Sequence, residues 1–189
     1  DHIKAQVVSS DNPTGTITNS DLELEGTIGQ HHVIGAVTSI AGETTYTGCD
    51  NSPAVSWRSK GSSTTAKARA QLLRIAAEQN RVQQALHRVG HISGVHNVMA
   101  DDTSRKFNLS DDAFLAYFNS TYPQPVSWKM YQLPKELISL LTSALSNTKL
   151  NMESVRHVLQ KQIRHGPFGA TSVNPSAPIL DSPASKTLS

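Results

Sequence analysis

Cysteine is nearly absent from this chain. The single Cys49 has no partner for an intramolecular disulfide, which excludes a disulfide-stapled scaffold and fits a reducing compartment. A cysteine–histidine zinc cluster is not expected either, because His31, His32, His87 and His96 have no cysteine group at ligand spacing. There is no apolar run long enough to cross a bilayer and no charged-then-apolar leader, so a protein outside the membrane, in the cytoplasm or nucleus, is expected. An excess of one charge is lacking too. Seventeen Lys and Arg against fifteen Asp and Glu leave +2, a balance that permits phosphate contact without requiring it. Aromatics are only 5% of the residues and form no base-stacking platform along the sequence. No Gly-rich phosphate loop or Ser/His/Asp elbow is present; the GTIGQ of residues 26–30 is too short and falls inside a helical stretch. At 37% the hydrophobic content is low for 189 residues, so part of the length is expected to lie outside the core. Starting on Asp1 rather than Met, the sequence reads as a processed or partial product.

What remains is an alternation of strand and helix signals. Residues 4–10, KAQVVSS, predict a strand and DNPTG a turn. Asn19 or Ser20 caps a helix on which Leu24, Ile28 and Ile34 sit near helical spacing. Asp21, Glu23 and Glu25 fall in its first turns, where the dipole favours acids. TTYTGC (44–49) predicts a strand ending at Asp50, followed by a short helix opened by Pro53 and broken after Gly61. Residues 65–85 predict a long amphipathic helix, 86–92 a strand, 93–97 a loop and 98–105 a short helix. Ser110 caps a further helix to about Asn119, and 133–163 add one or two more. The Pro/Ser/Ala/Thr-rich stretch beyond Gly166 predicts a disordered tail. The expected class is α/β around a central sheet, divided into 1–120, a helical extension over 121–165, and a tail over 166–189.

Three acids stand where chemistry is possible. Glu23 lies in a helical first turn, Asp50 at the carboxyl end of a strand, and Asp101 at the start of a helix after a strand and loop. Ligands of open α/β sheets gather at the carboxyl edges of strands. Carboxylates brought together there repel unless a cation lies between them, and Mg²⁺ prefers such oxygen donors. Two such ions about 3.5–4 Å apart stabilise both the attacking and leaving oxygens of a phosphodiester. Each acid also has an ordinary reading: a dipole residue for Glu23, a helix cap for Asp50, a solvated pair with Asp102 for Asp101. Spacing alone does not decide between them.

The surrounding residues add a resemblance. TNSDLEL (18–24), CDNSPAV (49–55) and HISGVHNVMADDTSR (91–105) resemble, in order, the segments that carry the second, third and last catalytic acids of ribonuclease H domains. The likeness is greatest to the branch that follows a reverse transcriptase in retroelement polyproteins, and TYPQPVSWKMYQLP and LLTSALS extend it to about residue 165. It implies a ribonuclease H-like mixed sheet with flanking helices. Glu23, Asp50 and Asp101 would hold two Mg²⁺ or Mn²⁺ ions, with Asp50 bridging them and Glu23 positioning water. Asp101 rather than Asp102 matches, because it follows Ala100. His91 would move a proton or aid product release; alternatively it is a strand-end histidine without a role. Asn19, Asn51, Asn97 and Lys60 would contact nucleic acid, although the asparagines serve equally well as cap and turn residues. The implied substrate is the RNA strand of an RNA–DNA hybrid, and the implied neighbour an upstream polymerase domain in cis.

Two departures accompany the likeness. Ser93 stands where Pro is usual. More seriously, the first strands and the first catalytic Asp have no counterpart: only 22 residues precede Glu23, and Asp1 and Asp11 lack the right context. Impaired metal binding and cleavage are expected, together with an exposed sheet edge. An alternative is a non-catalytic, connection-type binding module resting on Lys60, Lys67, Arg69, Arg74 and Arg88; another is an inactive transposon remnant. Retention of the three acids argues against a pure binding role.

Overall fold

Each helix near the acids begins at a side chain able to bond its free amides. In the computed structural model, which describes residues 4–10, 12–63, 67–106 and 108–164, helix α1 spans Asn19–Val37 behind an extended Thr18. The Asp21 carboxylate accepts from both the backbone N–H (2.8 Å) and the hydroxyl (2.6 Å) of Thr18. Strand β1 (Thr44–Cys49) runs into α2 (Ser52–Lys60), where Asn51 Oδ1 accepts from the Ala54 N–H at 3.1 Å. Helix α2 stops at Gly61, whose φ of 64° suits a residue without Cβ. Helix α3 (Lys67–Gln83) leads to β2 (Leu86–His91). Then follow α4 (Val98–Ser104), α5 (Asp111–Thr121), α6 (Lys135–Leu145) and α7 (Met152–Arg164).

The two strands pair in parallel, with Thr44 opposite Leu86 and Cys49 opposite His91. Parallel neighbours need a crossover, here supplied by α2 and α3. Alternation puts Thr47, Cys49, His87 and Val89 on the buried face, while Tyr46, Leu86 and Arg88 face outward. Tyr46 lies across Gly90, where a Cβ would collide with its hydroxyl. The chain is therefore α/β, with seven α-helices and a two-stranded parallel sheet among the described residues. The antiparallel part of the expected mixed sheet is not found among them.

Residues 4–10 do not form the predicted strand. Lys4–Gln6 is a 3₁₀ turn, and only single bridges follow, Val7 with Ile17 and Ser9 with Asn12. The physical reason is local closure. The Gln6 carbonyl accepts from both Thr16 and Ile17, and Asn12 Nδ2 donates to the Ala5 and Val7 carbonyls, leaving no run of groups for a ladder. Gly15 permits this, since a Cβ there would lie 2.6 Å from the Gln6 oxygen. The tail expected to be disordered from 166 lies outside the described residues, as do Asp1 and Asp11.

The core joins Leu24 and Ile28 of α1 to Leu72, Ile75 and Ala76 of α3, and continues through Leu137 and Leu141 of α6 to Val155 and Leu159 of α7. Residues beyond 120 thus share one core with those before it. A second tie crosses from α3 to α7: Glu78 accepts from Arg81 and, at 2.7 Å, from Arg156. The Arg81 bond, then burial opposing it, then Arg156 leave the Glu78 carboxyl at about 2, below its ordinary value. Glu78→Gln should lower stability by about 1 kcal/mol at pH 7, since Arg156 is half exposed and screened. Urea titration checks this, and the difference should vanish as pH falls from 4.5 towards 2. No helix among the described residues is long and apolar enough to cross a membrane.

Candidate metal centre

Helix α1 packs with its Leu24 and Ile28 face against the core, so Glu23, one residue earlier, emerges at the rim of that face. There it meets the carboxyl end of β1. Carboxylate oxygens of Glu23 and Asp50 and the sulfur of Cys49 all lie within 4.8 Å of one another. Two residues singled out from separate sequence segments are thereby brought together. Cys49 joins them unforeseen, because strand alternation buries it and only the placement of α1 puts carboxylates beside it.

Asp21 holds that placement. Its sequence position suggested a dipole residue, yet it is 2% exposed and bonded by Arg69 Nε at 2.5 Å. The Arg69 guanidinium lies 4.2 Å from the Trp57 ring centre, so one cation ties α1, α2 and α3 together. Burial pushes the Asp21 carboxyl up, but the bonds from Arg69 and Thr18 outweigh it and the net shift is downward. This corrects the role considered for Arg69 as a phosphate-contacting cation: its side chain is 14% exposed and engaged with Asp21.

Electrostatics at the cluster run the opposite way. Burial first, and the neighbouring Asp50 charge second, raise the Glu23 carboxyl above its usual range. Burial raises the Cys49 thiol, the Asn51 backbone contact opposes this, and the Glu23 and Asp50 charges add to the rise. A carboxylate held in its neutral form by burial and by a neighbouring carboxylate fits a divalent cation, which reverses the sign of that interaction.

The loop after β2 closes over Asp50. A Cβ on Gly94 would sit 3.7 Å from Asp50 Oδ2, and His91 is level with Cys49 in the strand register, exposed beside the cluster. Asp101 is on α4, exposed and paired with Arg105 at 2.9 Å, and is not a member of the Glu23–Cys49–Asp50 group. Asp102 is engaged elsewhere. Its carboxylate accepts from the Tyr117 and Tyr122 hydroxyls, within an aromatic cluster of Phe114, Phe118, Tyr122 and Trp128. Asn51 uses its side-chain oxygen as a helix cap. Asn19 is exposed at the start of α1, Asn97 precedes α4 without a side-chain cap bond, and Lys60 is exposed at the end of α2.

Two further features escaped the sequence reading. A cavity of about 660 Å³ runs beside β1 between Leu22, Gly29, Val33, Tyr46 and Leu133. It includes Glu25, whose carboxyl burial raises, but neither Glu23 nor Asp50. Behind the sheet, the rings of His31 and His87 stack 4.4 Å apart at 10°. Among the described residues neither ring nitrogen of His31 makes a well-formed hydrogen bond, although the Gln79 side chain interacts with the ring, while His87 Nδ1 meets the Thr45 hydroxyl at 2.8 Å. No family model matches the chain, and no curated protein or solved structure matches it either.

Proposed function

We propose that this chain is a ribonuclease H-like domain of the retroelement type. It hydrolyses the RNA strand of RNA–DNA hybrids at Glu23 and Asp50, and acts inside the cell in cis with a polymerase domain. One observation carries the reading: acids from two separate motif-like segments converge at the carboxyl edge of a parallel strand, the position where open α/β sheets bind ligands. The order α1, β1, α2, α3, β2 and the exposed His91 beside the cluster agree with it.

Glu23 and Asp50 offer the hard oxygen donors that Mg²⁺ or Mn²⁺ prefers. Glu23 and Asp50 would hold such a cation, which would neutralise charge on the scissile phosphate and lower the pKa of the attacking water. Glu23 orients that water, Asp50 anchors the scissile phosphate's side of the cluster, and His91 receives or returns a proton at the loop. Asp101, exposed and paired with Arg105, stands outside the pair of acids that carries this reading. With only Glu23 and Asp50 of the carboxylates brought together among the described residues, turnover is slow.

The test is cleavage of a labelled RNA–DNA hybrid by the full chain with Mn²⁺ or Mg²⁺. Slow cutting is expected, reduced at least about a hundredfold in Asp50→Asn. Hybrid left uncut by the wild type under both metals, or cut equally well by Asp50→Asn, would sink the reading.

A further inference from the structure

The cluster at the end of β1 contains a donor that an all-carboxylate site does not need. Cys49 is 4% exposed, and its sulfur lies within 4.8 Å of the carboxylate oxygens of both Glu23 and Asp50. The thiol makes a contact of 3.9 Å to the Asn51 carbonyl, too long for a firm bond. A buried, weakly bonded thiol therefore lies beside a pair of carboxylates that form no salt bridge among the described residues.

Cys49 belongs to the buried hydrophobic cluster, so packing explains its burial but not the two carboxylates beside its sulfur. A core cysteine behaves as a small hydrophobe, and nearby carboxylates give it nothing. The neighbouring β1 residues show how the sulfur comes to be there. Thr47 and Cys49 share the buried side of the strand, and the last of these inward side chains lies beside Glu23 of α1. Asp50, at the strand end, then turns its carboxylate to the same place. Sulfur and oxygen donors arrive from two elements, with α1 supplying Glu23 and β1 supplying the other two.

We propose that Cys49 is a metal ligand, and that with Glu23 and Asp50 it forms a mixed thiolate–carboxylate site preferring Zn²⁺ or another thiophilic divalent cation to Mg²⁺. The inference rests on the reading of this cluster as a cation site. Softness sets the preference: thiolate donors select zinc-like ions, whereas Mg²⁺ takes oxygen. Three protein ligands leave a fourth tetrahedral position open for water or a phosphate oxygen. On binding, the Cys49 S–H bond breaks as the metal–sulfur bond forms, and its proton goes to solvent, so Zn²⁺ binds more tightly as pH rises. Zn²⁺ occupying the site competes with Mg²⁺ and inhibits Mg²⁺-supported cleavage.

The experiment is a titration of the full chain with Co²⁺, read by the sulfur-to-metal charge-transfer band, followed by displacement with Zn²⁺. The expected result is a thiolate band in the wild type that Zn²⁺ abolishes. Cys49→Ser should remove the band and weaken Zn²⁺ binding at least about tenfold, while Mg²⁺ affinity changes less than about twofold. Cys49→Ala serves as a second variant should the serine disturb the buried position, and the wild-type spectrum depends on no variant at all. A Co²⁺-saturated wild type without the band, or a Cys49→Ser protein with unchanged Zn²⁺ affinity, overturns the proposal. The two readings separate cleanly. If Glu23→Gln and Asp50→Asn abolish hybrid cleavage while no sulfur band appears, the thiol assignment falls and the nuclease stands. If the band is lost in all three single variants while the wild type cuts no hybrid, the thiol assignment stands and the nuclease falls.

Discussion

Acidification from pH 7 to 4.5 strongly destabilises this protein, and His31 and His87 are the cause. Both side chains are almost wholly buried in a stack between α1 and β2. Burial first, and then the His87, Arg58 and His32 charges, push His31 down to about 3. Burial and then Arg58 push His87 down to about 4. Thr45, Gln79 and Asn80 are the other polar side chains of this region; no carboxylate contributes to either shift. Unfolded, both imidazoles return to their ordinary 6.5. Between 6.5 and the folded values the unfolded chain holds more protons, so stability falls as pH falls through that window. Each histidine costs up to about 1.4 kcal/mol per pH unit there, or roughly 2 kcal/mol each by pH 4.5 after relaxation. Set against a typical 5–15 kcal/mol, that is a large fraction.

Urea unfolding at pH 7, 5.5 and 4.5 measures the slope. His31→Phe keeps a stacked ring and removes two buried nitrogens that make no well-formed hydrogen bond among the described residues, so it should be near neutral at pH 7 and roughly halve the slope. Equal stability at pH 7 and 4.5, or an unaltered slope in His31→Phe, would rule the histidines out. The window also separates this effect from Glu78, whose contribution is lost only below 4.5.

Removing the Asp21 carboxylate is the second large effect. In Asp21→Ala, a guanidinium 14% exposed loses its anionic partner, and Thr18 loses the acceptor for its N–H and hydroxyl. Breaking a buried pair from one side costs about 3 to 4 kcal/mol, and the lost cap adds about 1. The melting midpoint should drop by many degrees, and cation affinity should drop with it, because the turn that carries Glu23 loses its tie to α3. Asp21→Leu with Arg69→Met should recover much of the stability, since well-packed apolar residues often replace a buried pair without loss. Should Asp21→Ala melt like the wild type, or the double variant fare worse than the single, Asp21 does not anchor α1.

These residues also show how far local sequence reaches. Asp21, Glu23 and Glu25 fall in the first turns of one helix and look equivalent to a dipole argument. Only contact with Arg69, 48 residues away, makes Asp21 structural and leaves Glu23 at the rim beside Asp50. The strand expected over 4–10 failed for a similar reason. Its β-branched centre was real, but a strand needs a continuous partner, and the segment closes on Thr16 and Ile17 instead. His31 and His87 carry no local sign of being a pair, because the stack joins a helix to a strand across the core.

From residue order alone one can read where β1 ends, that Asp50 stands at a strand's carboxyl edge, and within a residue or two where the helices near the site start; the cap of α1 is Thr18, which bonds Asp21, and not Asn19 or Ser20. Caps, turns and two-residue alternation act within about four residues, so they are legible in the order of residues alone. Tertiary structure alone decided that Asp21 is an anchor, that Asp101 lies outside the group and pairs with Arg105, and that Cys49 stands among the carboxylates. Each of those depends on burial and on a partner from another element. The acids named from the sequence therefore became, for Glu23 and Asp50, a site with a third donor that no spacing along the chain announced.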